Sequence, residues 1–167
     1  MTYFETNRLI GRPFLQKDQA SVIEILMDPT VKQTYMLPDF PTEEDAVKLF
    51  CRLMELSQGD DHYVVAICLG DSLIGWINDT EQQGSSIEVG YVIHPRYQGQ
   101  GYMTEALKAA IVDLFDRGYT EVKAGAFEEN IASIRVMEKC GMIQQKHMDE
   151  IEYRGVVHRC VYYAVKR

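Results

Sequence analysis

Apolar positions along this chain change period several times, and each change marks an element. From Ile87 to Ile93 they alternate, at Ile87, Val89, Tyr91 and Ile93. That is the pattern of a half-buried strand, and Pro95 stops its pairing. After Gly101 the period lengthens: Met103, Ala106, Leu107, Ala110, Ile111 and Leu114 recur at three and four. This predicts a helix over 102–117 with one apolar face, closed by Gly118 as a left-handed C′ residue. Only Arg96-Tyr97-Gln98-Gly99-Gln100-Gly101 separates strand from helix.

Upstream, Thr6 to Phe14 reads as a first strand, with Leu9 and Ile10 its buried pair and Pro13 its end. Lys17 to Met27 reads as a short amphipathic helix carrying Ala20, Ile23 and Met27 at helical spacing, stopped by Asp28-Pro29. Residues 28–41 hold three prolines and no period, which predicts a long loop. Tyr35, Met36, Leu37 and Phe40 make that loop apolar, either by folding back onto the core or by lining an acceptor pocket. Thr42 is placed to cap a helix whose buried stripe is Ala46, Leu49, Phe50, Leu53 and Leu56, ending at Gly59. Strands over 62–69 and 73–78 meet at Gly70-Asp71, and Gly84-Ser85-Ser86 leads into the alternating strand.

Downstream, Thr120 to Phe127 is a strand, and Ile131 to Lys139 a helix capped by Asn130 and closed by Gly141. A final hairpin over 144–152 and 156–165 turns at Tyr153-Arg154-Gly155. The order β-α-α-β-β-β-α-β-α-β-β, without repeat or linker, predicts one α/β (α+β) domain over 1–167.

Charge and composition narrow the partners. The chain has 25 acidic against 17 basic residues, a net charge of −8. A general nucleic-acid binder needs a basic face, so that class is excluded; a cationic partner such as an amine is mildly favoured. No apolar run is long enough to span a membrane and no basic-then-apolar start resembles a signal peptide, so a cytoplasmic location is the default expectation. Cys51, Cys68, Cys140 and Cys160 are far apart with no C-x-x-C pair, and read as reduced, mostly buried residues. The four histidines have no metal-ligand spacing, and no metal is expected.

The turn before the 102–117 helix offers chemistry. The first N–H groups of a helix lack partners within it, and the peptide dipoles leave partial positive charge there. Gly99 and Gly101 remove two side chains, so a phosphate can approach the main chain. On spacing alone an ordinary glycine-rich turn is an equal reading. A dinucleotide fingerprint needs a small residue at position 104, and the chain has Thr104.

Residues 96–101 match the R/Q-x-x-G-x-G/A signature of the GNAT N-acetyltransferases, and Glu88-Val89-Gly90-Tyr91-Val92-Ile93-His94-Pro95 resembles that family's fourth strand. A second motif, Asn130-x-x-Ser133-x-x-x-x-Glu138-Lys139-Cys140-Gly141-Met142, resembles the branch that acetylates ribosomal-protein N-termini. The resemblance covers nearly the whole chain. It implies the GNAT fold, a mixed, mostly antiparallel sheet of about seven strands flanked by about four helices. It also implies acetyl-CoA as co-substrate and an amine as acceptor.

The same resemblance implies residue roles. Val92 and Ile93 would offer backbone groups to the pantetheine arm, the cofactor taking the place of a missing strand neighbour. Arg96, Gln98, Gly99, Gln100, Gly101, Tyr102 and Met103 would hold the pyrophosphate, and Asn130 would contact the pantetheine or merely cap its helix. Glu88 is the candidate general base, against the alternative of a carboxylate on a solvated strand face. Many relatives carry an acid tyrosine where this chain has Met137; Ser133 takes the role in the N-terminal-acetylating branch, and is otherwise a capping serine. His94 lies near the proposed cofactor, Trp76 reads as core, and Asp149, Glu150 and Glu152 read as a solvated edge or a lure for a cationic acceptor. Arg159 departs from the acidic residue that relatives often have there. No cysteine is placed as a nucleophile.

The expectation is direct acetyl transfer in a ternary complex to a primary amine, a protein or peptide N-terminal α-amine first. A small-molecule amine (amino acid, polyamine, aminoglycoside) or a non-catalytic CoA-binding module are the alternatives. Homodimerisation is compatible with the family.

Overall fold

A mixed sheet organises the molecule, its strands in the order β1-β2-β3-β4-β5-β6-β8-β7. The computed structural model describes residues 2–36 and 42–167. These form eight strands and five α-helices: β1 (Phe4–Glu5), β2 (Leu9–Arg12), α1 (Gln19–Met27), α2 (Pro29–Thr34), α3 (Glu43–Ser57), β3 (Val64–Leu69), β4 (Ser72–Gln83), β5 (Ser86–Ile93), α4 (Tyr102–Asp116), β6 (Glu121–Phe127), α5 (Ile131–Lys139), β7 (Ile143–Tyr153) and β8 (Val156–Lys166). Neighbouring strands are antiparallel except β5 and β6, which run parallel. Helices cover both faces. One core lies under α4 and α5, with Ile87, Val89, Leu107 and Met137; the other lies under α1 and α3, with Phe14, Phe50, Trp76 and Val92.

Local chemistry explains most boundaries. The Thr42 hydroxyl accepts the Asp45 N–H to start α3, and the Asn130 side chain accepts the Ser133 N–H to start α5. Both α4 and α5 end in a paired closure. Gly118 N–H reaches Phe115 O while Tyr119 N–H reaches Leu114 O, and Gly141 and Met142 repeat the pattern onto Glu138 and Met137. Trp76 is fully buried, as expected of a core residue.

Four expectations need correction. The first strand breaks in two, because Thr6 N–H and the Leu9 carbonyl close a tight turn between β1 and β2. Its buried pair is also wrong: Leu9 is buried, but Ile10 alternates to the other side and is 36% exposed. The 28–41 stretch is not all loop, since Asp28 caps α2 by accepting the Thr30 and Val31 N–H groups with Pro29 at its first position. Six residues are too few to display a helical period. Leu37 and Phe40 lie outside the described residues. Finally, α1 buries Val22, Ile25 and Leu26, while Ile23 and Met27 flank them and Ala20 is exposed. The helix is apolar on several sides, so spacing alone could not choose the inward one.

One close approach positions the site. A Cβ built on Gly75 of β4 would sit 2.3 Å from the Val92 carbonyl oxygen of β5. Gly75→Ala is therefore expected to push β5 away and to cost about 1–3 kcal/mol as an overpacked strand pair. Thermal melting would check this, and an unchanged Tm would contradict it.

Candidate active site

The opening that holds the site begins where β5 and β6 part. They pair at Ser86, Ile87 and Glu88 against Glu121, Val122 and Lys123, and no further. Beyond that, β6 stays with β8 as far as Phe127, whereas β5 from Gly90 to Ile93 pairs, among the described residues, only with β4. The backbone of β5 thus faces an open edge, the arrangement that accepts an extended ligand as an added strand. The result is a cleft of about 610 Å³ that passes between the strands to the starts of α4 and α5.

The turn ahead of α4 forms one end of this cleft. Gly99 and Gly101 have φ of 72° and 80°, left-handed values that favour glycine, and Gly101 is the N-cap residue of α4. Gln98, Gly99, Gly101, Tyr102 and Met103 line the cleft, as do Val92, Ile93 and Asn130. A phosphate would meet the unpartnered first amides of α4 there.

Arg96 and Gln100 are placed differently from the other candidates. The Arg96 side chain is 73% exposed and points toward Glu24, 4.0 Å away. The Gln100 side chain folds back to donate to the Arg96 carbonyl at 3.0 Å. The cation lying against the turn is Arg8. It donates to the Gln100 carbonyl at 3.1 Å, pairs with Glu105 at 2.6 Å and stacks over the Tyr102 ring at 4.3 Å. Arg8 precedes β2, so only the sheet brings it here.

The catalytic candidates sit on opposite faces of β5. Tyr91 packs with Ile87 and Val89 toward α4 and α5, so Glu88, Gly90 and Val92 point the other way. Glu88 lines the cleft half-buried, and burial is the largest influence raising its pKa above the usual carboxylate range; Glu81 adds to it and a hydrogen bond from Thr80 opposes it. That bond is 3.1 Å from Thr80 Oγ1 to Glu88 Oε1. Thr80 occupies a bulge in β4, between Asp79 and Glu81, that turns its hydroxyl toward Glu88. On the other face, Ser133 lines the cleft in the first turn of α5 with its Oγ 2.8 Å from the Tyr91 hydroxyl. Met137 is fully buried in the core, so the position of the absent tyrosine does not reach the cleft.

The other side of the site is bordered by α2, β4, β7 and β8. Trp76 donates its indole N–H to the Tyr35 hydroxyl at 2.9 Å, and Tyr35 donates to Asn78 at 3.0 Å. The Tyr153 hydroxyl reaches the carbonyls of Lys32 and Tyr35, at 2.6 and 3.0 Å. Tyr35 therefore both folds onto the core and lines the cleft, with exposed Met36 next to it. Asp149 accepts from Tyr162 at 2.8 Å and faces His147 at 3.1 Å, whereas Glu150 and Glu152 are exposed. Arg159 points outward to Glu128.

The remaining candidates have structural partners. His94 pairs with Glu24 and accepts the Arg96 N–H. His62 faces Asp79, and His158 bonds Glu129 while stacking on Phe127. Among the cysteines, Cys51 is exposed, Cys140 half-buried, and Cys68 and Cys160 buried. Cys160 lines the cleft, but burial pushes its thiol up, so it is held as the weakly nucleophilic neutral form. Among the described residues no helix is long and apolar enough to cross a membrane.

A strand pair that parts beside a left-handed glycine at a helix start is the frame that the sequence motifs anticipated. A family profile described as an acetyltransferase (GNAT) domain matches residues 8–143. The chain belongs to the GNAT acetyltransferase family. This GNAT protein is 35% identical over 148 residues to the uncharacterized N-acetyltransferase YnaD of Bacillus subtilis (strain 168), covering 84% of this chain and 82% of YnaD. A GNAT-family acetyltransferase from Bacillus anthracis superposes with a TM-score of 0.86 at 27% identity, covering 99% of this chain and 98% of that one. RimL, a ribosomal L7/L12 alpha-N-protein acetyltransferase solved with coenzyme A, superposes with a TM-score of 0.85 at 19% identity, covering 99% and 98%. Against the expected seven strands and four helices, β1 and α2 are the additions within the same GNAT architecture.

Sequence reasoning missed Arg8, Thr80 and Tyr91. Arg8 gave no signal, because its partners lie far along the chain. Thr80 lay past the predicted end of its strand. Tyr91 was assigned to the buried face by its alternation, which is correct for the ring but silent about the hydroxyl.

Proposed function

We propose that this protein transfers acetyl from acetyl-CoA directly to a primary amine, and that the amine is an N-terminal α-amine of a protein or peptide. The observation that carries this reading is the division of the cleft by β5. The described charged residues lining it are Glu88 on one face, and Arg135 and Lys139 on α5. An anionic CoA fits the side bearing the helix starts and the two cations. A cationic amine fits the side bearing Glu88. RimL, solved with coenzyme A and named for an alpha-N-protein substrate, supports the same reading.

In this scheme Val92 and Ile93 hold the pantetheine arm along the open edge of β5, and Gln98 to Met103 hold the pyrophosphate. Glu88 takes the amine proton, through a water, and Ser133 donates its hydroxyl hydrogen bond to the departing sulfur. The thioester would sit at the parted edge of β5, with Glu88 reaching it from one face and Ser133 from the other, which suits transfer without a covalent enzyme intermediate. An α-amine favours this base. Its usual pKa is about 8 against about 10.4 for a lysine amine, so at neutral pH its deprotonation costs roughly 3 kcal/mol less.

The test is free-thiol release from acetyl-CoA with a panel of N-terminal peptides, amino acids, polyamines and aminoglycosides, beside a CoA titration. Release with peptides alone is the expected result. Release only with a small amine would move the acceptor assignment. CoA binding without turnover on any amine would make the protein a binding module.

A further inference from the structure

We infer that Tyr91 is a positioning residue that sets the direction of the Ser133 hydroxyl proton, and that the two hydroxyls together stabilise the departing CoA thiolate. The inference rests on the acetyl-transfer reading of the cleft. Its basis is a short three-atom arrangement: the Tyr91 hydroxyl lies 2.8 Å from Ser133 Oγ and 3.0 Å from the Ser133 carbonyl oxygen. Both residues line the cleft, and the Ser133 N–H is already committed to Asn130 Oδ1 at 3.2 Å. Ser133 is therefore not needed as the cap of α5, and its hydroxyl is available for another task.

A phenol has one proton and two acceptors here, which defines two states. When Tyr91 donates to the Ser133 carbonyl, its oxygen receives the Ser133 O–H, and the serine proton points away from the cleft. When Tyr91 donates to Ser133 Oγ instead, the serine proton is released toward the cleft. Both acceptors are within hydrogen-bond range of the same phenol oxygen, so exchange needs only concerted rotation of the two hydroxyls about their C–O bonds. Burial raises the Tyr91 pKa well above its ordinary value, the Ser133 hydrogen bond opposing it, so the phenol keeps the proton that the exchange requires.

The chemistry balances without an added reagent. The amine nitrogen bonds to the thioester carbon, the C–S bond breaks, and its electron pair stays on sulfur. Ser133 O–H hydrogen-bonds to that sulfur while Tyr91 O–H hydrogen-bonds to Ser133 Oγ. Neither hydroxyl is consumed. The proton that completes the thiol matches the one the nitrogen sheds as the amide forms. A negatively charged acceptor draws the serine proton outward, so the favourable state arises as charge develops on sulfur, which is what a catalytic hydrogen bond requires.

Tyr91→Phe tests this, because it keeps the ring in the core and removes one oxygen. Acetyl-transfer kinetics are measured for wild type, Tyr91→Phe, Ser133→Ala and the double variant. The expected result is about a tenfold lower kcat for Tyr91→Phe with KM for acetyl-CoA and Tm unchanged. The double variant should be no slower than Ser133→Ala alone, because the tyrosine acts through the serine. A merely structural tyrosine would slow both backgrounds equally and would overturn the inference, as would a full rate in Tyr91→Phe. A full rate in Ser133→Ala would overturn it too. A second readout needs no turnover: the thiolate absorbance of bound CoA, titrated with pH. The thiol should titrate about one pH unit higher in Tyr91→Phe than in wild type. Equal titrations would overturn the inference. Absence of wild-type turnover with every amine would count against the transfer reading and leave this titration to decide the role of Tyr91. Absence of CoA binding would overturn both.

Discussion

Glu88→Gln is expected to lower kcat by about a hundredfold or more, while CoA affinity stays within about twofold of wild type. The carboxylate lies across β5 from the Tyr91–Ser133 pair, so its loss would remove the proposed proton acceptor and leave the proposed cofactor side intact. The pH profile carries the sign. Burial raises the Glu88 pKa, and only the ionised form accepts a proton, so kcat/KM should fall as pH drops through that raised value. The fall therefore comes at higher pH than for an ordinary glutamate, and Glu88→Gln should lack that limb.

Stability should move the other way. A carboxyl whose folded pKa is above its unfolded value stabilises the fold most below the unfolded pKa, and that contribution is lost as pH rises through the interval between the two. At neutral pH the ionised Glu88 is a cost, so the glutamine variant should melt no lower than wild type. A slow and equally stable variant supports the role of base. A fast variant, or one that is slow because it is unfolded, refutes the assignment.

Gly101→Val is expected to raise the KM for acetyl-CoA and the Kd for CoA at least tenfold, with a smaller change in saturated kcat. Gly101 holds a φ of 80° at the N-cap of α4, where a β-branched residue costs about 1–2 kcal/mol or more. The strain would be relieved by turning the first peptide planes of α4 away from the cleft, where a phosphate needs them. The control is Gly84→Val, at a φ of 59° in the turn between β4 and β5 with no atom within 4 Å of its Cβ. It carries the same kind of strain far from the cofactor turn. Calorimetric titration with CoA should separate the two: both lose some Tm, and only Gly101→Val loses affinity. Equal CoA binding in the two variants would mean that the turn does not hold the phosphates.

Much of the molecule could be read from local pattern. The strand over β5, the helix over α4, and the caps at Thr42 and Asn130 each rest on residues within a few positions of one another. The same is true of the glycine turn. Periodicity, capping and left-handed glycines are short-range physics, so the sequence states them directly. Where local signals were ambiguous the reading failed. An all-round apolar α1 did not reveal its inward face, and a six-residue α2 had no period to show.

The candidate site divides in the same way. The proposed anion-holding turn and the strand bearing Glu88 could be read in the linear order, because motif residues 88–103 are contiguous. The tertiary structure alone decided which groups act together. It turned Arg96 outward and brought Arg8 to the turn instead. It used a bulge to aim Thr80 at Glu88, and parted β5 from β6 so that the strand edge opened. It also set Tyr91 against Ser133 across 42 residues of chain. Hydrogen bonds of this kind join distant segments, and their partners are fixed only when sheet order and register bring the backbones together. Local sequence therefore determined the elements and the glycine turn before α4, whereas packing of the parted sheet against α4 and α5 determined the pairing of the catalytic candidates.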